Sequence, residues 1–264
     1  MTRMTIDGPQ GVLATMRAGH GRPTPLVFLH ADPGRASQWN AVTKLVAPNH
    51  DTVAFDFRGA GSSEPARNRD YSIWARAGDL AAIVTAFDLS DFVIIAHSAA
   101  AAVALFYAAD HDGISGIVLV DPATDPRAMP GDLRDGFVHD MAGPDSAAAF
   151  QKYVGSIAGD DPGVREQVMA DAALVVPAAR AGLAAAFAAW NPEPVLDAYH
   201  GPMVILSTPA TDIVGALYRL RPNIPHQVVQ TKGHWLQLDH PEIVADVIMT
   251  FVRKIAQPAA VSFG

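Results

Sequence analysis

Short apolar runs that end abruptly at a polar or turn-forming residue recur along this chain. They are PLVFLHADPG (25–34), DTVAFDFRGAGSS (51–63), FVIIAHS (92–98), SGIVLVDPA (115–123), PMVILSTPA (202–210) and HQVVQTKGH (226–234). Their Val/Ile/Leu content is nearly continuous rather than alternating, as strands buried on both faces require. Helical patterns fall between them, at YSIWARAGDLAAIVTAFDL (71–89), SAAAAVALFYAAD (98–110) and PEIVADVIMTFVRKI (241–255). The last of these has Pro and Glu in its first turn and Arg253 and Lys254 near its end, as the helix dipole prefers. Strand–helix alternation predicts an α/β fold, with a mostly parallel sheet flanked by helices. Right-handed crossovers then gather the C-terminal ends of the strands at one edge, where sites in such folds form. The opening MTIDGPQGVLATMRAGHG (4–21) predicts an antiparallel hairpin on the sheet's border.

From about Thr124 to His200 the rhythm breaks. This stretch is rich in Ala, Asp, Pro and Gly, helical in pattern, and studded with Phe137, Met141, Phe150, Tyr153, Met169, Phe187 and Trp190. It predicts a helical cap (124–200) over the sheet edge of a core built from 1–123 and 201–264. A chain of 264 residues suits one α/β domain with such an insertion. The tail QPAAVSFG is expected to fray.

Composition narrows the function. Half of the residues are hydrophobic and 17% are charged, which favours a large packed core over disorder. A net charge of −8 with no Lys/Arg stripe argues against nucleic-acid partners. Without Cys there are no disulfides, thiolate metal sites or Cys nucleophiles. Neither a signal-like apolar segment nor a run of roughly 18 apolar residues is present, so the expected setting is the cytoplasm, away from membranes. No metal or cofactor is expected. The partner is a small-molecule substrate, and the oligomeric state is left open, a homodimer included.

The chemistry centres on Ala96-His97-Ser98-Ala99-Ala100, where a β-branched run becomes an alanine-rich helix. Two readings of Ser98 compete: a nucleophile on a strand-to-helix elbow, or the N-cap of the helix. The elbow motif G-x-S-x-G has small residues two before and two after the Ser because the two backbones approach closely there. Alanine at both places weakens the match without breaking it. A nucleophilic Ser needs a base, and the base needs an orienter. His234, in TKGHWLQLDHPE after the last predicted strand, stands where the base belongs. His111, His139, His200 and His226 read as surface or packing residues, and His240 begins the last helix. For the orienter, Asp212 beyond the fifth strand is the first choice, and Asp121 at the end of the fourth is the second.

Four blocks in this order resemble the α/β-hydrolase fold superfamily, in its epoxide-hydrolase, esterase and haloperoxidase-like branch: FLHADPGRASQW, DFRGAGSS, AHSAA and GHWLQLDHPE. The resemblance covers nearly the whole chain outside the cap. It implies an oxyanion hole made by the backbone N–H groups of Ala99 and Asp32, and places His30, His97 and Trp190 in the oxyanion and substrate-binding set. Gly59 and Gly61 would shape a nearby turn, and Arg58 would tie loops together. Three departures stand out. Ala31 replaces the Gly of a His-Gly pair, Ala96 and Ala100 replace the elbow glycines, and Asp32 sets a carboxylate beside the oxyanion hole. Such a carboxylate would oppose the developing charge unless it points to solvent or an Arg.

The resulting expectation is a serine hydrolase cleaving an ester, lactone or related carbonyl bond of a small apolar or aromatic substrate. Two other chemistries on the fold compete with it: a C–C hydrolase, and a cofactor-independent dioxygenase whose His–Asp pair would use an acid at the position of Asp121. A non-enzymatic ligand-binding protein is the remaining alternative.

Overall fold

The computed structural model describes residues 2–19 and 21–257. The tail expected to fray lies, from residue 258 on, outside the described residues. Among these, eight strands form one sheet in the order β1-β2-β4-β3-β5-β6-β7-β8. They are β1 (Thr2–Gly8), β2 (Gly11–Ala18), β3 (Leu26–Leu29), β4 (Thr52–Phe55), β5 (Phe92–His97), β6 (Ile114–Val120), β7 (Met203–Ser207) and β8 (His226–Val228). The hairpin β1–β2 is antiparallel, turns at Gly8 and Gly11, and joins β4 antiparallel. Every later pair, from β4–β3 to β7–β8, is parallel. The fold is therefore the mostly parallel sheet that the apolar runs predict.

Burial explains why those runs do not alternate. All four residues of β3, all four of β4 and all six of β5 are buried. Leu26, Phe28, Val93 and Ile95 face one layer, with α1 (Asn40–Val46) and α11 (Pro241–Ala256). Val27, Leu29, Ile94 and Ala96 face the other, with α2 (Ile73–Ala86) and α3 (Ala100–Ala108). Helix α2 starts where a local signal says it should: the Ser72 hydroxyl accepts the Ala75 N–H at 3.1 Å.

Between β6 and β7 run α4 (Gly131–Ala142), α5 (Ser146–Ile157), α6 (Pro162–Ala173), α7 (Pro177–Ala188) and α8 (Pro192–Ala198). The first four share a separate apolar cluster around Met141, Phe150, Val154 and Val168, which reaches the sheet layers through Tyr71 and Trp235. No single helix among the described residues is long and apolar enough to cross a membrane.

The sixth apolar run yields a shorter strand than expected. Strand β8 spans only His226–Val228, and after the Val229 N–H bonds to Ser207 at 2.8 Å the chain leaves the sheet. That departure carries His234 back across the C-terminal edge, ahead of the short helix α10 (Leu236–Asp239).

Candidate active site

Ser98 sits between β5 and α3 with φ +56°, in the left-handed region that non-glycine residues rarely adopt. The surrounding ladder fixes it there: its N–H bonds to Val120 at 3.1 Å, and its carbonyl accepts Ala101 at 3.0 Å and Ala123 at 3.1 Å. The N-cap alternative is not what forms. The position before α3 is Ala99, with no side-chain cap, and the Ser98 hydroxyl bonds instead to His234. Ala96 and Ala100 are fully buried in the sheet–helix layer, so their methyl groups are packed rather than obstructive.

The Ser98 Oγ donates to His234 Nε2 at 2.8 Å, and His234 Nδ1 donates to Asp121 Oδ2 at 2.5 Å. Asp121 directly follows β6, with φ +42°, and is fully buried. Its carboxylate also accepts the Thr208 N–H at 2.8 Å, the Thr208 hydroxyl at 3.2 Å and the Thr211 hydroxyl. Burial by itself would raise the Asp121 carboxyl, but the bonds from His234, Thr211 and Thr208 hold it below the usual carboxylate range.

Asp212, the first choice for the orienter, is not in this network. After β7 the chain folds into a tight turn in which the Thr211 and Asp212 N–H groups both return to the Thr208 carbonyl, at 3.2 and 3.0 Å. That turn aims Thr211 at Asp121 and turns Asp212 outward, onto the Tyr218 hydroxyl and onto Arg219 at 2.5 Å. Those two donors lower its carboxyl below the ordinary value.

The His234 loop is held from three sides. Its N–H bonds to Ile157 at 3.0 Å, and its carbonyl accepts the His97 Nε2–H at 2.9 Å. Gly233 lets the Asp239 carboxylate pack against the loop: a Cβ there would lie 1.8 Å from an Asp239 oxygen and push that side chain aside. His97, expected among the substrate-binding residues, is instead sealed behind this loop and accepts a bond from Gln237 at 3.0 Å through its other nitrogen. Burial first, and the nearby His234 second, push its pKa well below the ordinary histidine value, so it is a neutral ring. His30 has a comparable position. It is fully buried, donates to the Ala31 carbonyl at 2.7 Å and accepts the Phe57 N–H at 2.9 Å, so it shapes the Ala31–Asp32 loop and is not in the cavity lining. Burial again lowers its pKa.

Asp32 resolves the third departure. Its carboxylate is clamped by Arg76 at 2.7 and 3.0 Å, and the Arg76 guanidinium lies 4.1 Å from the centre of the Phe57 ring. Arg58 ties loops as expected: it is bidentate with Asp79 and reaches the Asp70 and Ala75 carbonyls. Gly59 and Gly61 both take positive φ in that turn. Among the described residues, the backbone N–H groups of Ala99 and Asp32 donate to no protein acceptor.

Ser98, His234, Ala99 and Asp32 all border a cavity of about 500 Å³ roofed by Phe137, Met141, Phe150, Tyr153 and Phe187. Trp190 is not in its lining. It is buried in the sheet–helix layer and touches only a narrow side pocket of about 20 Å³ beside Asp32 and Ala99. A larger, open groove of about 920 Å³ runs along β7, β8 and α11, but it holds no part of the Ser–His–Asp chain. Thr208, Thr211, Arg76, Gln237, Tyr153 and Arg180 complete or border the site without having been singled out for it from the sequence. Thr208 and Thr211 had a signal, since a buried carboxylate needs donors and STPAT supplies them next to the neighbouring strand end.

A family profile described as the alpha/beta hydrolase fold matches residues 24–241. N-formylmaleamate deformylase of Pseudomonas putida is 31% identical over 112 residues, a stretch spanning 42% of this chain and 41% of that protein. The chain thus matches less than half the length of that relative. An enol-lactonase from Burkholderia xenovorans superposes with a TM-score of 0.83 at 14% identity, over 95% of this chain and all of that one. An esterase from Thermogutta terrifontis superposes with a TM-score of 0.82 at 20% identity, over 97% of this chain and all of that one. With a profile spanning the strands that carry Ser98, Asp121 and His234, and the same sheet in solved structures, the chain belongs to the alpha/beta hydrolase fold family.

Proposed function

We propose that this protein is a serine hydrolase that cleaves an ester, lactone or related carbonyl bond of a small, mainly apolar or aromatic substrate. The observation that carries the reading is the continuous chain from Ser98 to His234 to Asp121, at 2.8 and 2.5 Å, on the floor of a cavity. The neighbours named esterase and enol-lactonase, and the relative named deformylase, support a hydrolase on this fold.

In the reaction, Ser98 Oγ attacks the substrate carbonyl while His234 Nε2 takes its proton. Asp121 holds the Nδ1–H tautomer and stabilises the imidazolium that forms. The N–H groups of Ala99 and Asp32 receive the oxyanion, and two such donors supply several kcal/mol of transition-state stabilisation. His234 then protonates the leaving group. A water, deprotonated by His234, cleaves the acyl-Ser98 ester and restores the enzyme. Residues 124–200 act as a cap whose aromatic and Met side chains exclude water and select apolar substrates.

A fluorophosphonate probe and p-nitrophenyl esters test this. Labelling of the wild type and none of Ser98→Ala, with ester turnover, is the expected result. No labelling and no turnover would leave the hydrolase reading without support. A second reading, a cofactor-independent dioxygenase, draws on the position of Asp121 as the acid. Oxygen uptake with hydroxyquinolone-type compounds would favour it.

A further inference from the structure

Buried arginines in this protein come with carboxylates. Arg58 holds Asp79 and Arg76 holds Asp32, each through two nitrogens. Arg180 breaks the rule. It is the only charged residue of α7 and is 8% exposed. One terminal nitrogen bonds to the Val175 carbonyl and the other to Ser146 Oγ at 3.3 Å. Its Nε is buried without a partner, and it forms no ion pair with an acidic side chain among the described residues. A guanidinium cannot discharge itself by losing a proton, so burial without a counter-ion is unfavourable and calls for an anion from elsewhere.

Arg180 borders the same cavity as Ser98 and His234. Of the other charges there, Asp32 is held by Arg76, while Lys232 lies at the exposed margin in a solvent-screened pair with Asp160 at 2.7 Å. Tyr153 also borders the cavity, and its hydroxyl bonds to no protein group among the described residues.

We propose that the cavity selects substrates bearing a carboxylate, with Arg180 as its counter-ion and the Tyr153 hydroxyl as a further donor, while the scissile carbonyl sits on Ser98. The substrate class is then a small aromatic or apolar acid with a hydrolysable acyl bond. This rests on the serine-hydrolase reading for its catalytic half only.

Two near-isosteric ester pairs test it: mono(4-nitrophenyl) glutarate against 4-nitrophenyl pentanoate, with the charge on the acyl side, and 3-carboxyphenyl acetate against 3-methylphenyl acetate, with the charge on the leaving group. In the wild type at least one pair is expected to favour the anion in kcat/KM by about tenfold or more. Arg180→Met should collapse that ratio, and Arg180→Lys should keep part of it. Preference for the neutral ester in both pairs, or an unchanged ratio in Arg180→Met, overturns the proposal. Calorimetric titration of the wild-type protein with benzoate and with benzamide needs neither a variant nor turnover. Tighter benzoate binding supports an anion site, and equal binding overturns it even if Arg180→Met fails to fold. Absence of ester turnover and of fluorophosphonate labelling would strike the hydrolase reading, while the titration still decides the anion site.

Discussion

The C-terminal edge of the sheet and the helices above it handle charge in opposite ways. At the edge, buried charges are held by partners within the protein: Asp32 by Arg76 and Arg58 by Asp79 as ion pairs, and Asp121 by hydrogen bonds from His234, Thr208 and Thr211. Asp56 accepts the Ala36 and Ser62 N–H groups at 2.6 and 2.7 Å. In the helices, Asp171 is tied down to Gln38 at 2.7 Å, but Arg180 has no acidic counter-ion among the described residues. The polar groups of the edge are thus held in place by protein partners, as the preorganised catalysis proposed here needs. The roof is complete in its apolar packing and, among the described residues, incomplete in its charge, as the proposed selection of an anionic substrate requires. On the proposed reading, reaction and specificity are divided between two layers of one chain.

Breaking the edge should give the largest effects on rate. Ser98→Ala removes the nucleophile and is expected to lower kcat by about 10⁶, as for a triad whose members act together. Its melting temperature should stay near that of the wild type, because the hydroxyl is not a structural cap. Labelling and ester kinetics measure the first part, and a thermal melt the second. Next, Asp121→Asn is expected to lower kcat by about 10⁴ by favouring the wrong His234 tautomer. Asp212→Asn should stay within a few-fold of wild type, since its partners Tyr218 and Arg219 lie outside the site. Equal losses in the two variants, read from the same ester assay, would contradict the assignment of Asp121.

That pair of aspartates shows where sequence reasoning runs out. The strands were legible because burial on both faces leaves runs such as FVIIA with no polar alternation. Ser98 and His234, which the structure brings within 2.8 Å of each other, stand out in the sequence because each follows a strand end, in a fixed order along the chain. Choosing between Asp121 and Asp212 was not possible in the same way, because both follow strand ends on the same edge. The decision lies in how Thr208–Asp212 turns, with two N–H groups bonded to one carbonyl; the threonines of STPAT offer donors for a buried carboxylate, but which aspartate they serve is set by that turn. His97 and His30 misled for a related reason. A His beside a functional motif reads as a ligand-facing group, whereas both spend their ring nitrogens on backbone and Gln237 partners. Arg180 carried a faint signal as the one charge in PAARAGLAAAFA, but its isolation is visible only in three dimensions.

A smaller effect should follow from unbalancing the edge without touching the Ser–His–Asp chain. Arg76→Met leaves the Asp32 carboxylate unpaired next to the proposed oxyanion donors. It is expected to lower kcat by about a hundredfold, the scale of losing one oxyanion donor. Adding Asp32→Asn to Arg76→Met should recover much of that loss, because the harm comes from an uncompensated charge. If the double variant is no faster than Arg76→Met, the clamp acts through loop shape instead. The same experiment sharpens the contrast with Arg180, whose removal should alter the choice between anionic and neutral esters.

The smallest expected effect concerns stability, and it separates the support behind the edge from the edge itself. His97 is fully buried and held neutral, with a folded pKa well below 6.5, so the folded protein binds its proton less readily than the unfolded chain does. As pH falls below 6.5, the unfolded state gains a proton that the folded state refuses, and stability declines until the folded pKa is reached. The slope from one such group is at most about 1.4 kcal/mol per pH unit. His30 adds a term of the same sign, because its folded pKa is also lowered by burial. The Asp121 contribution lies lower. Its depressed carboxyl supplies stability that is present above the ordinary carboxylate range and is lost only as pH falls through its folded value. Between pH 7.5 and 5, then, the decline should come chiefly from the two buried imidazoles. His97→Gln keeps a donor for the His234 carbonyl and removes one titration, so its denaturant-derived stability should fall less steeply across that window. Identical slopes in the two proteins would mean that His97 does not enter the folded state neutral. A shallower slope, with kcat reduced only modestly, would place His97 as the support that positions the His234 loop from behind.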